Sequence, residues 1–188
     1  MLLSVSLATN ADPWSRIGTM KLYRLERTQR LPRPIDETFD FFADPRNLKE
    51  LTPGFLGFEF LGNPPKRLAA GILLDYRVRL LGVPVRWQTR IEVFEPPTRF
   101  EDTQLRGLYA YWRHVHTFAE DARGGTTVCD KVEFAMPLGP LGTVAYHLSV
   151  KRTLREIFDY RRDRLTLLMR HGPDDRGSHR AINSSPSV

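Results

Sequence analysis

Between Gly57 and Met136 the chain carries six successive stretches in which apolar residues alternate with polar ones, with no helical spacing between them. Alternation at period two marks strands with one dry and one wet face, and short turns between such strands make them antiparallel neighbours. The stretches are Gly57 to Gly62, Ile72 to Leu81, Val85 to Phe94, Phe100 to Arg106, Ala110 to Phe118 and Thr126 to Met136. Glu95 to Thr98, Gly107-Leu108 and Asp121 to Gly125 supply turns. A sheet built this way must cover its dry face. The chain offers one long element for that: Val144 to Arg170, where Val150, Leu154, Ile157, Phe158, Leu165, Leu168 and Met169 form a single apolar stripe.

Upstream, Lys21 to Leu31 alternates as a first strand and Pro32 and Pro34 end it. Ile35, Phe39 and Phe42 then fall at i, i+4 and i+7, which predicts a short amphipathic helix over 35–43. Asp44 followed by Pro45 is an N-cap pair and predicts a second short helix running to Leu51. The order is one strand, two short helices, six strands and one long helix, an α+β arrangement.

The 188 residues suit one domain. The folded unit is expected over 20–170. Residues 1–19 show no periodicity and read as a disordered or mis-assigned extension. Their first eight residues resemble a signal peptide only weakly, having no Lys or Arg ahead of the apolar run, and Met20 stands directly before the first strand. Residues 171–188, rich in Gly, Ser and Asp, read as a disordered tail. No stretch reaches the 18 or so apolar residues of a membrane span. The single Cys129 excludes an intramolecular disulfide and every multi-cysteine zinc motif, in keeping with a cytoplasmic protein.

Four segments resemble the START-like or birch-pollen-allergen-like superfamily, which also takes in polyketide cyclases (SRPBCC). Leu31 to Leu48 looks like the family's strand exit and opening helix, ending in a D-P-x-N-L turn. Glu95 to Phe100 matches a turn between middle strands. Trp112-Arg-His-Val-His-Thr-Phe118, following Asp102 and Gln104, is similar to a bacterial branch of the group, and Ile157 to Arg161 matches its terminal helix. The resemblance implies a helix-grip fold, with a seven-stranded antiparallel sheet wrapped around the C-terminal helix and an apolar cavity between them. It says less about function, because such folds serve lipid carriers, hormone receptors, quinone-binding proteins and cyclases alike.

Strand parity shows what faces that cavity, since residues two apart share a face. Trp112, His114, His116 and Phe118 are expected inward, beside Phe100, Asp102 and Gln104 on the preceding strand and Val128, Asp130, Val132 and Phe134 on the next. Neighbouring strands bring Asp102 or Gln104 within reach of either histidine. Such a patch either satisfies itself and fixes the sheet or presents donors and acceptors to a ligand. Two histidines at i, i+2 with a carboxylate can also hold a metal, but the pattern is common by chance, so no metal and no cofactor is expected. Tyr76, Trp87, Trp112 and Phe134 either line the cavity, where they suit a flat or fatty molecule, or are plain core, the commoner role of large residues on an inward strand face. Arg161 lies on the apolar stripe of the last helix, where a cation is costly unless it snorkels, finds Asp102 or Asp130, or meets an acidic ligand group.

The expected function is binding of a hydrophobic or aromatic small molecule, lipid-, polyketide- or quinone-like. The alternative is a cyclase- or aromatase-like enzyme using a His/Asp acid–base pair; nothing in the sequence singles out a nucleophile. The net charge of +6 raises nucleic acid and anionic membranes as partners. Residues 150–170, however, hold seven basic residues against three acidic ones, so most of the excess is the outer side of one helix. Nucleic acid is not expected as a partner, and contact with anionic surfaces is expected to be weak at most.

Overall fold

The computed structural model describes residues 20–80 and 82–170. The expected extension over 1–19 and tail over 171–188 lie outside the described residues. Strand β1 (Leu22–Leu31) leads through Pro32 and Pro34 into helix α1 (Ile35–Ala43). After short 3-10 turns come β2 (Glu59–Phe60), β3 (Leu73–Leu80), β4 (Val83–Glu95), β5 (Arg99–Arg106), β6 (Tyr111–Glu120) and β7 (Thr126–Ala135). The C-terminal helix has three parts: α2 (Gly139–Ala145), a π turn over Tyr146–Val150, and α3 (Lys151–Arg170).

All seven strands form one antiparallel sheet in the order β1-β7-β6-β5-β4-β3-β2, so the first strand closes on the last. Helix α3 is tied to the sheet. The Gln29 amide donates to the Arg162 carbonyl and the Thr166 hydroxyl, both at 2.8 Å. Arg33 Nε donates to the Met169 carbonyl at 3.0 Å, placing a cation where the helix leaves carbonyls unpaired. The seven-stranded helix-grip architecture is the one the resemblance implies, and its α+β order is the one the alternation and the single long helix predict.

Three local departures have physical reasons. The second short helix is a 3-10 segment over Pro45–Leu48 rather than a helix to Leu51; Asp44 does cap it, accepting from the Arg46 amide at 3.0 Å. Asn47 instead spends its amide on the Phe41 carbonyl at 2.8 Å, folding the segment back onto α1. The long helix starts at Gly139, five residues early, because Pro140 sits in the first turn, where its missing N–H costs nothing. In β4 the register shifts between Ile91 and Val93, which breaks the alternation, so Phe94 packs on the core, 5.4 Å from the Phe39 ring.

The core has two parts. One gathers Leu31, Phe39, Phe42, Phe100, Phe118 and Leu165 under α1; the other gathers Tyr23, Trp87, Trp112, Phe134, Leu154 and Phe158 under the start of α3. Helix α2 folds back tightly where it meets the strand exit. A Cβ on Gly142 would stand 1.9 Å from the Pro137 carbonyl oxygen, which is backbone and cannot swing away. Gly142→Ala is therefore expected to destabilise the protein by about 1–3 kcal/mol. A urea midpoint equal to that of the parent would show that α2 shifts freely.

Candidate functional site

The two core clusters meet at a polar seam. In register, Asp102 on β5 stands opposite His114 on β6, Phe100 opposite His116, and His116 opposite Asp130 on β7. Alternation on β6 buries Trp112, His114, His116 and Phe118 and turns Arg113, Val115 and Thr117 outward, as the parity predicts. His116 stacks on Phe100 with ring centroids 4.1 Å apart, and His114 meets Phe158 edge-on at 5.7 Å. The imidazoles thus sit between the apolar clusters, nearly dry.

Two carboxylates bracket the pair. Asp130 Oδ1 lies 3.1 Å from His114 Nε2 and 2.6 Å from His116 Nδ1, although the latter contact is out of line for a hydrogen bond and is chiefly electrostatic. Asp102 Oδ2 lies 3.8 Å from His114 Nδ1 and 3.8 Å from His116 Nε2. Burial, and then the neighbouring His116, push His114 down to about 4. Burial works against the charged form of His116 too, but Asp130 and Asp102 outweigh it and its pKa rises. Burial would raise Asp130; His116 and His114 instead hold it well below the ordinary carboxylate range. The shifts oppose one another: burial favours the neutral form of His114, the two carboxylates favour a proton on His116, and Asp130 is held as the carboxylate.

Above this cluster, between the sheet and α3, lies a cavity of about 200 Å³. Seven of the sequence-predicted residues line it: Tyr76, Trp87, Asp102, Trp112, His114, His116 and Arg161. Three do not. Gln104 turns to its own hairpin, donating to the Tyr109 carbonyl at 2.8 Å, because the Gly107-Leu108 turn leaves that carbonyl unpaired. Asp130 stands behind the imidazoles, and Phe134 packs in the second cluster against Tyr23 and Trp112. A further wall, beyond the residues expected from the sequence, is made by α1 and the loops after it, including Phe42, Leu48, Leu51 and Leu56. Apolar residues within an otherwise turn-like stretch were the available signal.

Two residues lining this cavity carry a donor with no acceptor among the described residues. Trp87 Nε1 and Arg161 Nε are both buried, and neither finds a hydrogen-bond partner there. Among the described residues no carboxylate pairs with Arg161 within 4.0 Å, so the salt bridge to Asp102 or Asp130 weighed from the sequence does not form. The guanidinium instead lies 5.5 Å from the Phe158 ring centroid. Burying an N–H without an acceptor costs about 1–3 kcal/mol, so two on one cavity are an unusual expense.

No family model and no curated protein matches the sequence. Solved structures do resemble it in shape. Norcoclaurine synthase from Thalictrum flavum superposes with a TM-score of 0.61 at 10% identity, over 92% of this chain and 99% of that one. Protein Ms6760 from Mycobacterium smegmatis gives 0.57 at 18% identity over 78% and 90%, and Ara h 8.0201 gives 0.50 at 18% over 77% and 98%. At these identities the likeness is one of fold.

Proposed function

Since the chain has the helix-grip fold of the START-like, birch-pollen-allergen-like superfamily, we propose that it binds an apolar or aromatic small molecule carrying at least one acceptor oxygen, in the cavity between the sheet and α3. The observation that carries this reading is the pair of donors, Trp87 Nε1 and Arg161 Nε, that have no partner among the described residues, from residues of a wall made mostly of Leu, Phe, Trp and Tyr that also carries Asp102, His114 and His116. Pockets of this kind take affinity from apolar lining and orientation from a few polar groups. Size narrows the class. A cavity of about 150 Å³ admits benzene, so about 200 Å³ suits one substituted ring better than a long acyl chain. An acidic substituent would meet the Arg161 cation.

The test is binding of benzoate and cinnamate against cinnamamide, read by calorimetry and thermal shift, with a quinone and fatty-acid panel alongside. The acids are expected to bind more tightly than the amide. Arg161→Gln should weaken acid binding about 10–100-fold, the size of a lost charge-assisted hydrogen bond, while leaving the amide little changed. A protein that shows no shift with any of these probes and is empty by native mass spectrometry would overturn the reading.

A second reading, an acid–base enzyme, draws on His114 and His116 lining the same cavity with carboxylates at hand. It requires a turnover that His114→Ala and His116→Ala abolish while ligand binding survives.

A further inference from the structure

The seam between the clusters has a feature that ligand binding does not require. Each imidazole gives one nitrogen to Asp130 and aims the other toward the same oxygen of Asp102: His114 through Nε2 and Nδ1, His116 through Nδ1 and Nε2. One ligand atom from each of Asp102, His114 and His116 can be chosen so that all three lie within 4.8 Å of one another. The geometry points to a divalent-metal site on this wall of the cavity, in which Asp102 Oδ2, His114 Nδ1 and His116 Nε2 hold one first-row ion such as Zn²⁺.

Metal–nitrogen and metal–oxygen bonds of roughly 2.0–2.2 Å at tetrahedral angles put ligand atoms about 3.4 Å apart. The two Asp–His edges, at 3.8 Å, are a few tenths of an ångström wider, within reach of small side-chain rotations. Asp130 supplies what lone histidines lack. A metal-bound imidazole commonly donates its other N–H to a carboxylate, which fixes the ring and strengthens it as a ligand. Here one buried carboxylate, 7% exposed, is hydrogen-bonded to His114 Nε2 at 3.1 Å and lies 2.6 Å from His116 Nδ1, where a small ring rotation would align it. Two carboxylates also match the charge of a dication, which a nearly dry site demands. All three ligand residues line the cavity, so the fourth position opens onto it, as in sites where a metal meets an exchangeable oxygen. Two imidazoles and a carboxylate favour Zn²⁺, Fe²⁺ or Co²⁺ over Ca²⁺ or Mg²⁺.

The probe is the metal alone, so the outcome does not depend on whether a small molecule binds. Chelator-treated full-length protein is titrated with Zn²⁺ by calorimetry and with Co²⁺ by visible absorption. One ion per chain is expected, with a four- or five-coordinate Co²⁺ spectrum lacking a thiolate charge-transfer band. Asp102→Asn and His114→Ala should each lose this binding by tenfold or more, whereas Cys129→Ser should keep it. Asp102, with a side chain 15% exposed, is the variant expected to fold, as checked by circular dichroism, if the buried His114→Ala does not. No binding by the parent, or equal binding by Asp102→Asn, overturns the site. So does binding that Cys129→Ser removes.

Discussion

Replacing Asp130 by Ala is expected to lower the unfolding free energy of the metal-free protein by about 3–5 kcal/mol, the usual cost of leaving one member of a buried ion pair alone. His116, only 5% exposed and stacked on Phe100, would keep its place with its nearest counter-charge gone. Asp102 cannot take over, because it lies 3.8 Å away and its side chain is partly wet. His114 would lose its one close acceptor as well. Urea denaturation measures the loss, and a double variant tests the cause. Replacing Asp130 by Leu together with His116 by Phe removes both partners and should recover part of the stability, since apolar isosteres of buried ion pairs are often neutral or better. A loss of less than about 1 kcal/mol for Asp130→Ala would mean that water reaches the seam.

Phe39→Ala is expected to cost about as much, roughly 3–5 kcal/mol, by a different route. Phe39 is 1% exposed, and its ring meets Phe94 at 5.4 Å, Phe118 at 5.1 Å and Phe100 at 6.1 Å, the last two edge-on. Through it α1 packs on β4, β5 and β6, with Phe42 adding a second contact to Phe118 of β6. The hole would be lined by rigid rings that cannot collapse into it, which places the cost high in the range. Against typical domain stabilities of roughly 5–15 kcal/mol, the variant would be marginal at 37 °C. Scanning calorimetry checks this. The partial substitution Phe39→Leu should retain most of the stability, and if it fails as badly as Ala, edge-to-face ring contacts rather than volume set the requirement.

Period-two alternation made the sheet legible, because each strand has one wet face and the parity of β6 alone separates Trp112, His114, His116 and Phe118 from Arg113 and Thr117. Parity fails where backbone irregularity intervenes, as at the bulge that turns Phe94 inward, or where side chains cover the outer face. Glu101 is on that outer face and yet 4% exposed, beneath Arg99 and Arg113, which bind it at 2.8 and 2.5 Å. Seven of ten expected site residues line the cavity because strand partners follow from short turns. Gln104 was misplaced because a side-chain amide chooses between cavity and hairpin by a local backbone vacancy that no pattern encodes. The α1 wall was missed because it depends on how a 3-10 segment folds back, which Asn47 decides through one hydrogen bond.

The pairing of β1 with β7 sets Leu22 opposite Ala135 and Leu31 opposite Thr126. During synthesis the first strand therefore has no partner until β7 has left the ribosome, and α3, whose stripe covers both, emerges later still. The nascent chain must carry β1 unpaired while the meander from β3 to β6 forms from near neighbours, and long-range closure of this kind slows folding. Truncation before Thr126 should leave a chain that engages holdase chaperones and is readily cleaved within Leu22–Leu31, so the order of emergence makes the last strand the step that commits the first.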